Sequence, residues 1–489
     1  MPESPQTEYG LICKEFSKES LVNLCVEKIG VQTGPFGSQL HNEDYVDVGT
    51  PIITVEHLGD NRILHQNTPF VSDEDKERLS KYHLQEGDIV FSRVGSVDRR
   101  ALVRQEEDGW LFSGRCLRVR VDRDKIDPIY LSYFFGMDGF KNYIRSIAVG
   151  ATMPSINTKI LSELPIYYPD LDKQRKIAQV LYSIDNKIEL NRQTNQTLEQ
   201  IAQAIFKSWF VDFDPVRAKI AAREAFIQQH PEVTEAAIRA AAGTEGDTLA
   251  HAGAKACELA AMCAISGKTE EQLKHLDADT LQQLQIIAAL FPDALVESVP
   301  DGWVPSTLIE YFNVVMGQSP KGETFNEEGN GMLFFQGRRD FGFRYPTPRV
   351  YTTDPKRTAK PGDTLISVRA PVGDRNMVID NCCLGRGVAA IRHKSGSRSF
   401  TYAFIGHIES DLANNGSDGT VFSSINKNEL GAVPFMAPHE DLVQHFEELI
   451  YPLDQRVEEL SKEITSLEIL RDYLLPKLLS GELPVDDVT

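Results

Sequence analysis

The sequence predicts an α+β chain: two mixed α/β domains, each followed by one long helix, with a helical insertion between the two halves. Three observations predict this arrangement, namely a long-range internal repeat, two heptad seams and an alanine-rich stretch from about residue 223 to 290. A chain of 489 residues has room for roughly three domains. Because the repeat is far longer than a solenoid unit, we expect a duplicated half-molecule.

The repeat is clearest in two short segments that match without a gap at an offset of 269 residues. Residues 150–165 read GATMPSINTKILSELP and residues 419–434 read GTVFSSINKNELGAVP, so Gly, Ser-Ile-Asn, Leu and Pro recur. Upstream, GDIVFSRVGSVDRRALV at 87–103 is paralleled by GDTLISVRAPVGDRNMV at 362–378. Short runs rich in Val, Ile and Phe, separated by Gly, Pro and Asp, predict strands and turns.

A heptad pattern follows each copy of this segment and predicts one long coiled-coil helix in each half. Asn191, Asn195 and Arg471 interrupt the seams, and polar residues at such positions usually fix register or partner. We expect the two helices to pair antiparallel, which would give the chain a pseudo-twofold internal repeat. The alternative is two unrelated amphipathic helices. The apolar seam positions are Ile177, Leu181, Ile184, Ile188, Leu198, Ile205 and Trp209 in the first helix, and Phe446, Ile450, Leu453, Val457, Leu467, Leu474 and Leu478 in the second.

The composition is that of an ordinary globular protein, with 41% hydrophobic and 25% charged residues. No apolar run approaches the ~20 residues that span a membrane, and the N-terminal residues lack the apolar core of a signal peptide. Seven cysteines without a Cys-x-x-Cys pair argue against a disulfide framework or a zinc site. We therefore expect a cytoplasmic protein without a membrane partner or a bound metal.

The net charge of −20 is unevenly distributed along the chain. Residues 338–375 carry nine Lys and Arg against four Asp and Glu, and residues 93–123 carry eight against five. Segments 218–300 and 439–489 contribute −15 of the −20. Local basic patches, more than net charge, indicate phosphate binding. Two comparable patches in two repeated domains favour a nucleic-acid partner over a merely solvated surface.

Motifs that carry chemistry are missing from the sequence. MCAISGKT at 262–269 resembles a phosphate-binding loop, but Met262 occupies the position of the first required glycine and the surrounding residues predict a helix. No Gly-x-Gly-x-x-Gly follows a predicted strand, and the sequence has neither a His-Glu-x-x-His motif nor a nucleophile elbow. We therefore expect no catalytic residue and no bound cofactor in this chain.

Taken together, the repeated and helical segments resemble the specificity subunits of Type I restriction–modification systems. They extend over nearly the whole chain, and the first long helix is the most specific of them. The alanine-rich stretch departs from the family pattern, because many members carry a shorter one. The resemblance is carried by both Ser-Ile-Asn turns, the two Gly-Asp strand motifs at 87–103 and 362–378, GPFGSQL at 34–40, QRKIAQVLYSIDNKIELNRQTNQTLEQIAQAIFKSWFVDFDPVRAK at 174–219, ALFPDALVESVPDGWVPSTL at 289–308 and LRDYLLPKLLSGEL at 470–483.

The resemblance implies a non-catalytic subunit of a prokaryotic, cytoplasmic complex. It would bind double-stranded DNA at a bipartite target, with one of two unlike half-sites for each recognition domain. Its helices would bind two modification subunits, which carry S-adenosylmethionine and methylate adenine N6. Two restriction subunits, which use ATP and Mg²⁺, would complete the nuclease.

On this basis we predict six segments: a target-recognition domain at 1–168, a spacer helix at 169–213, the insertion at 214–299, a second target-recognition domain at 300–437, a second spacer helix at 438–480 and a tail at 481–489. Base reading needs bidentate groups, Arg for guanine and Asn or Gln for adenine. The candidate DNA-binding residues of the first domain are Gly34, Phe36, Gly37, Ser38, Arg93, Arg99, Arg100, Arg115 and Thr152. Those of the second are Gln336, Arg338, Arg339, Arg369, Arg375 and Arg386, and the seam residues given above are the candidates for subunit assembly.

Several alternatives stay open at this point. The Ser-Ile-Asn turns either face DNA or cap the helix that follows, and an N-cap asparagine favours the second interpretation. Some of the arginines will hold phosphates or pair with nearby acids. The whole chain could instead be a coiled-coil scaffold that binds proteins without DNA specificity, or a fused enzyme that acts alone.

Overall fold

The computed structural model describes residues 5–35, 39–414 and 424–487. The chain divides into two compact units. Unit 1 comprises Met1–Arg192 and Ser461–Thr489, and unit 2 comprises Gln193–Leu460. Each unit therefore contains a β-rich part together with segments of both long helices. None of the described helices is long and apolar enough to cross a membrane.

Two sheets form the β-rich part of unit 1. The first is antiparallel, and its fully buried strands Ile89–Ser92 and Cys116–Val119 lie at its centre. Its order is Val31–Thr33, Cys116–Val119, Ile89–Ser92 and Arg100–Leu102. The second sheet is mixed, in the order Leu111–Phe112, Thr50–Ile53, Phe70–Val71 and Tyr45–Val46. A separate ladder joins Ser17–Ser20 to Pro165–Tyr168, and a short hairpin joins Gln6–Thr7 to Gly10–Leu11.

Unit 2 repeats this order of strands. Its antiparallel sheet is Phe312–Met316, Val388–His393, Thr364–Ser367 and Arg375–Met377. Its mixed sheet is Phe325–Asn326, Tyr351–Thr352, Met332–Phe335, Cys382–Leu384 and Thr358–Ala359, which adds one strand. Val304–Thr307 pairs with Pro434–Ala437, and Leu295–Val296 with Val299–Pro300. The internal repeat seen in the sequence therefore recurs in the strand pairing.

The long helices have clear local causes. The first long helix, Leu171–Phe210, spans 40 residues and begins where the Asp170 carboxylate accepts the Lys173 N–H at 3.0 Å. The second long helix, Glu440–Ser480, spans 41 residues and is followed by Gly481, whose φ of +75° suits a helix C-terminus. The shorter helices are Asp73–Arg78, Pro128–Phe134, Asp138–Ile147 and Thr158–Ser162 in unit 1, and Leu308–Tyr311, Arg398–Asn414 and Lys427–Gly431 in unit 2.

The two long helices pack against each other within each unit. In unit 1, Ile177 and Leu181 share a core cluster with Leu474 and Leu478, so the start of the first helix meets the end of the second. In unit 2, the ring of Phe446 lies 5.8 Å from that of Phe206 and 5.9 Å from that of Trp209, so the end of the first helix meets the start of the second. In each unit, opposite ends of the two long helices are therefore in contact.

Between the first long helix and the second β-rich part, the chain is helical, as the alanine-rich composition predicts. The loop-like motif at 262–269 lies at the end of one of these helices, where Gly267 has a φ of +65° and Thr269 caps the next helix. It is a helix terminus that does not follow a strand, which agrees with its exclusion as a nucleotide-binding loop. The helices are Asp214–Gln229, Glu235–Ala241, Leu249–Ser266, Glu270–Leu273 and Ala278–Leu290.

Candidate nucleic-acid interface

A cavity of about 670 Å³ opens at one edge of the sheets of unit 2, and five of the residues that line it are arginines. We call it the arginine cleft. A second recess of about 590 Å³ shares Arg369 and Arg386 with it and also contains Ser424 and Asn426. The cleft is lined by Ser319, Gln336, Gly337, Arg338, Arg339, Asp340, Arg349, Arg369, Ala370, Pro371, Arg386 and Gly387.

Two of the loops that supply these residues leave neighbouring strands of the mixed sheet, and a third, with Arg369, follows Thr364–Ser367 of the antiparallel sheet. Gln336 follows the strand Met332–Phe335, and Arg386 lies in the turn after Cys382–Leu384. The Gly387 N–H donates to the Gln336 carbonyl at 3.1 Å, which joins the two loops. A Cβ at Gly385 would lie 2.7 Å from the Gln336 Cα, so only glycine permits this close approach. The glycines on either side therefore hold Arg386 next to Gln336.

The charges in the arginine cleft are only partly neutralised. Arg338 pairs with Asp374, and Arg349 pairs with Asp340 at 3.0 Å. Arg339, Arg369 and Arg386 are exposed, and none of them has a carboxylate partner among the described residues. Three guanidinium groups are therefore available to an anionic or acceptor-rich ligand. Guanidinium forks suit both phosphate oxygens and the O6/N7 edge of guanine.

The corresponding region of unit 1 is less cationic. Arg115 is exposed, whereas the guanidinium of Arg93 is half-buried and donates to the Gly114 carbonyl at 3.3 Å. The guanidinium of Arg99 donates to the Leu58 carbonyl. Thr152 is exposed.

Backbone contacts explain one predicted glycine of unit 1. The Gly34 N–H donates to the Cys116 carbonyl at 3.2 Å, and a Cβ at Gly34 would lie 2.2 Å from the Ser113 carbonyl oxygen. Gly34 is therefore required by a close approach of two loops. Phe36, Gly37 and Ser38, predicted beside it, lie outside the described residues.

Each Ser-Ile-Asn turn is hydrogen-bonded to a loop of its region. The Ile156 N–H donates to the Arg93 carbonyl at 3.0 Å, and the Ile425 N–H donates to the Val368 carbonyl at 3.0 Å. The Asn157 side chain accepts from the Ile160 N–H at 2.9 Å, so it caps the next helix. Asn426 caps its own helix in the same way, through the N–H groups of residues 428 and 429. The interpretation of these asparagines as helix caps is confirmed.

Comparison with known proteins connects this geometry to a family. The family description "Type I restriction modification DNA specificity domain" matches residues 32–200. The putative Type I restriction enzyme MjaX specificity subunit of Methanocaldococcus jannaschii is 26% identical over 446 residues, which cover 90% of this chain and 88% of that protein. The Type I restriction enzyme HindI specificity subunit of Haemophilus influenzae is 28% identical over 461 residues, covering 88% and 95%. The resemblance to the specificity subunits of Type I restriction–modification systems, predicted from the sequence, is therefore confirmed.

A solved structure shares the fold. The S subunit of a Type I restriction–modification system from M. genitalium matches with a TM-score of 0.53 and 16% identity, covering 95% of this chain and 96% of that one. The mixed helix and strand fold with a long helix, expected for a specificity subunit, is therefore confirmed at the level of the fold.

Two of the predicted DNA-binding arginines need correction. Arg100 is 4% exposed, and its guanidinium donates to the Ser132 carbonyl at 2.9 Å and pairs with Asp60 at 3.3 Å. Burial lowers its pKa from the ordinary value, although Asp60 opposes this. A side chain held in this way belongs to the interior of unit 1 and is not available to DNA.

Arg375 occupies the same kind of position in unit 2. Its guanidinium lies 4.1 Å from the centre of the Tyr402 ring and pairs with Glu199 at 3.1 Å. A Cβ at Gly406 would lie 2.2 Å from this guanidinium, just as one at Gly136 would clash with Arg100. Both arginines begin a strand at the same place in the sheet order, so the sequence repeat itself was the signal that they share a structural role.

The assembly residues also need correction. Most of the predicted seam side chains are buried in the chain's own core, so they are unavailable to a partner subunit. Ile184, Leu198, Ile205, Leu453 and Leu467 are half-buried. The exposed apolar residues of the two long helices lie off the seam. They are Leu190, Ile469, Leu470 and Tyr473 in unit 1, and Ile201, Leu449 and Tyr451 in unit 2.

One cluster among the described residues has the composition of a metal site. His65, Glu106 and Glu107 can bring one ligand atom each within 4.8 Å of one another. Both oxygens of Glu107 are already used, because one lies 2.7 Å from His65 Nε2 and the other accepts the Arg104 N–H at 2.7 Å. These contacts account for the cluster as a capped turn.

Proposed function

We propose that this specificity subunit reads an asymmetric, bipartite DNA target, with one half-site for each unit, and is itself non-catalytic. The observation that supports this most strongly is the arginine cleft of unit 2. It combines Gln336 with exposed guanidinium groups on loops fixed by backbone hydrogen bonds. Side chains held on a rigid frame suit direct readout of base edges.

The cleft residues divide by their freedom to contact DNA. Arg338 and Arg349 already pair with carboxylates, so we assign them to positioning the loops. Arg339, Arg369, Arg386 and Gln336 are exposed and are our base- and phosphate-contacting set in unit 2. In unit 1 the set contains Arg93, Arg99, Arg115 and Thr152, and Arg100 and Arg375 are withdrawn. Two similar β-rich parts with different exposed residues support two unlike half-sites.

The chain would act together with partner subunits. We propose two modification subunits, which supply S-adenosylmethionine and adenine-N6 methylation, and two restriction subunits, which supply ATP- and Mg²⁺-dependent cleavage. The exposed off-seam residues of the long helices, such as Ile469 and Tyr473, are our candidates for these contacts. The recurring strand order supports the predicted pseudo-twofold repeat, and the six predicted segment limits remain part of this proposal.

Methylation mapping tests the proposal. The chain is co-expressed with its cognate methyltransferase subunit in a host without adenine methylation, and genomic N6-methyladenine is mapped by single-molecule sequencing. We expect one new bipartite motif with unlike halves at a fixed spacing. If the complex is stable but no new methylation motif appears, and if DNA affinity lacks the salt dependence of phosphate contacts, the result would support the alternative of a protein-binding scaffold.

A further inference from the structure

The loop 93–98 of unit 1 and the loop 368–373 of unit 2 are closed by equivalent backbone hydrogen bonds. In unit 1 the Ser92 N–H donates to the Arg99 carbonyl at 3.0 Å, and in unit 2 the Ser367 N–H donates to the Asp374 carbonyl at 2.8 Å. The two loops have equal length, since six residues separate the bonded residues in each. Val94 thus corresponds to Arg369, and both form an isolated bridge to the serine of the Ser-Ile-Asn turn.

A second pair of loops corresponds in the same way. The Cys116 N–H donates to the Ser113 carbonyl at 2.9 Å, and the Val388 N–H donates to the Gly385 carbonyl at 3.1 Å. The two residues inside each turn are therefore equivalent by position. Gly114 corresponds to Arg386, and Arg115 corresponds to Gly387. The backbone carbonyls of Arg115 and Gly387 also accept equivalent hydrogen bonds, from the Arg93 N–H at 2.8 Å and from the Val368 N–H at 2.9 Å.

In the third pair of loops, an acidic residue of unit 1 corresponds to a basic residue of unit 2. The His57 N–H donates to the Thr54 carbonyl at 3.1 Å, and the Asp340 N–H donates to the Gly337 carbonyl at 3.4 Å. Counting along each turn, Glu56 corresponds to Arg339. Gln336 has no counterpart in unit 1, because it is one extra residue between the strand and the turn.

The three unpaired arginines of the arginine cleft are thus all replaced in unit 1. Arg339, Arg369 and Arg386 become Glu56, Val94 and Gly114 on the same frame. Arginine is only a donor and ionised glutamate is only an acceptor, so the two cannot read the same base edge. Valine offers only an apolar contact, which suits the thymine methyl group.

We propose that this exchange makes the two half-sites unlike in base class, an inference that rests on the proposed function. Arg386 reads a guanine in the half-site of unit 2, and Gln336 beside it reads a neighbouring adenine. Glu56 accepts a hydrogen bond from cytosine N4 in the half-site of unit 1, where Val94 contacts a thymine methyl group. Arg386, Gln336, Glu56 and Val94 are the specificity-determining residues, and Arg339 and Arg369 reinforce the attraction to DNA in unit 2.

Methylation maps of single-residue variants test this inference in the full complex. Arg386→Lys keeps the charge but loses the guanidinium fork, so it should relax one guanine of one half-site. A bidentate contact discriminates by roughly 5- to 150-fold, so the excluded bases should rise by that factor at that position. Glu56→Gln should relax one position of the other half-site only. Arg239→Lys, in the helical insertion and outside the cleft, where Arg239 pairs with Glu235 at 2.7 Å, is the control and should leave the motif unchanged.

The possible outcomes distinguish failure of this inference from failure of the proposed function. A uniform loss of methylation with an unchanged motif in Arg386→Lys would mean a phosphate contact and would overturn the inference. Relaxation in both half-sites by one variant would also overturn it. A wild-type complex without any bipartite motif would refute the proposed function itself. Arg386 and Glu56 are exposed, and unchanged melting temperatures would show that the variants are folded.

Discussion

Replacing Arg344 by methionine should destabilise unit 2 strongly, because this residue is the cation of a buried ionic network. Arg344 is 2% exposed, lies 3.7 Å above the Tyr402 ring and bridges Glu199 on the first long helix and Asp454 on the second. Burial alone would lower the pKa of Arg344, but Asp454, Tyr402 and Glu199 together raise it above its ordinary value.

The magnitude follows from what the substitution leaves behind. Glu199 retains Arg375 at 3.1 Å, whereas the 3% exposed side chain of Asp454 loses its cation. Breaking a buried pair by removing one partner costs about 3–5 kcal/mol. A domain of this size loses roughly 2–4 °C of melting temperature per kcal/mol, so we expect a decrease of about 6–20 °C.

Differential scanning calorimetry of four variants measures this effect. Arg344→Met is compared with Asp454→Leu, with the double variant and with Arg456→Met. The double variant should recover most of the loss, because it removes both charges. Arg456 pairs with Glu459 at 2.9 Å on the surface of the same helix, and its loss should cost at most about 1 kcal/mol. A decrease below about 2 °C for Arg344→Met would refute the reasoning.

Three further predictions concern the core, the pH and the salt. Phe446→Ala removes a fully buried ring and should cost about 3–5 kcal/mol in thermal unfolding, whereas Ile469→Ala, 67% exposed, should cost less than about 0.5; equal costs would contradict the core assignment. Burial, with a smaller effect of Lys394, lowers the pKa of His393 to about 4, so stability present above pH 6.5 is lost as the pH falls towards 4. The loss should reach about 3 kcal/mol and vanish in His393→Gln; an unchanged acid transition in that variant would contradict it. Arg339→Ala should reduce the log–log salt slope of DNA binding by about 0.9, measured by fluorescence anisotropy; an unchanged slope would exclude a phosphate contact.

Much of the helical architecture could be predicted from the sequence, because it depends on local periodicity. The steps of four and three from Ile177 predict a long helix, and the structure has one from Leu171 to Phe210. The Ser-Ile-Asn turn was predictable for the same reason, since an N-cap asparagine acts within three residues. The sequence predicted that the two helices pair, but it could not show which seam side chains this packing buries and which apolar side chains stay exposed. Periodicity identifies an apolar face, and only the tertiary structure identifies what covers it.

The same limit applied to the candidate DNA-binding residues, because their exposure depends on the tertiary structure. Arg369 and Arg375 are six residues apart in one basic segment, and composition gives them equal weight. The structure distinguishes them. Arg369 lies in an exposed loop, whereas Arg375 begins a strand and its side chain packs against the Tyr402 ring. Two-residue strands such as Tyr45–Val46 were also beyond prediction, since their pairing depends on distant residues and not on their own sequence.

Exchange of one recognition domain tests the central claim most directly. Residues 300–437 are replaced by the matching domain of a specificity subunit with a known target, and the methylation motif of the complex is mapped. The account predicts that one half of the motif changes to the donor's half, while the other half is unchanged. A complex that assembles and methylates DNA but changes both halves, or neither, would contradict the assignment of one half-site to each unit.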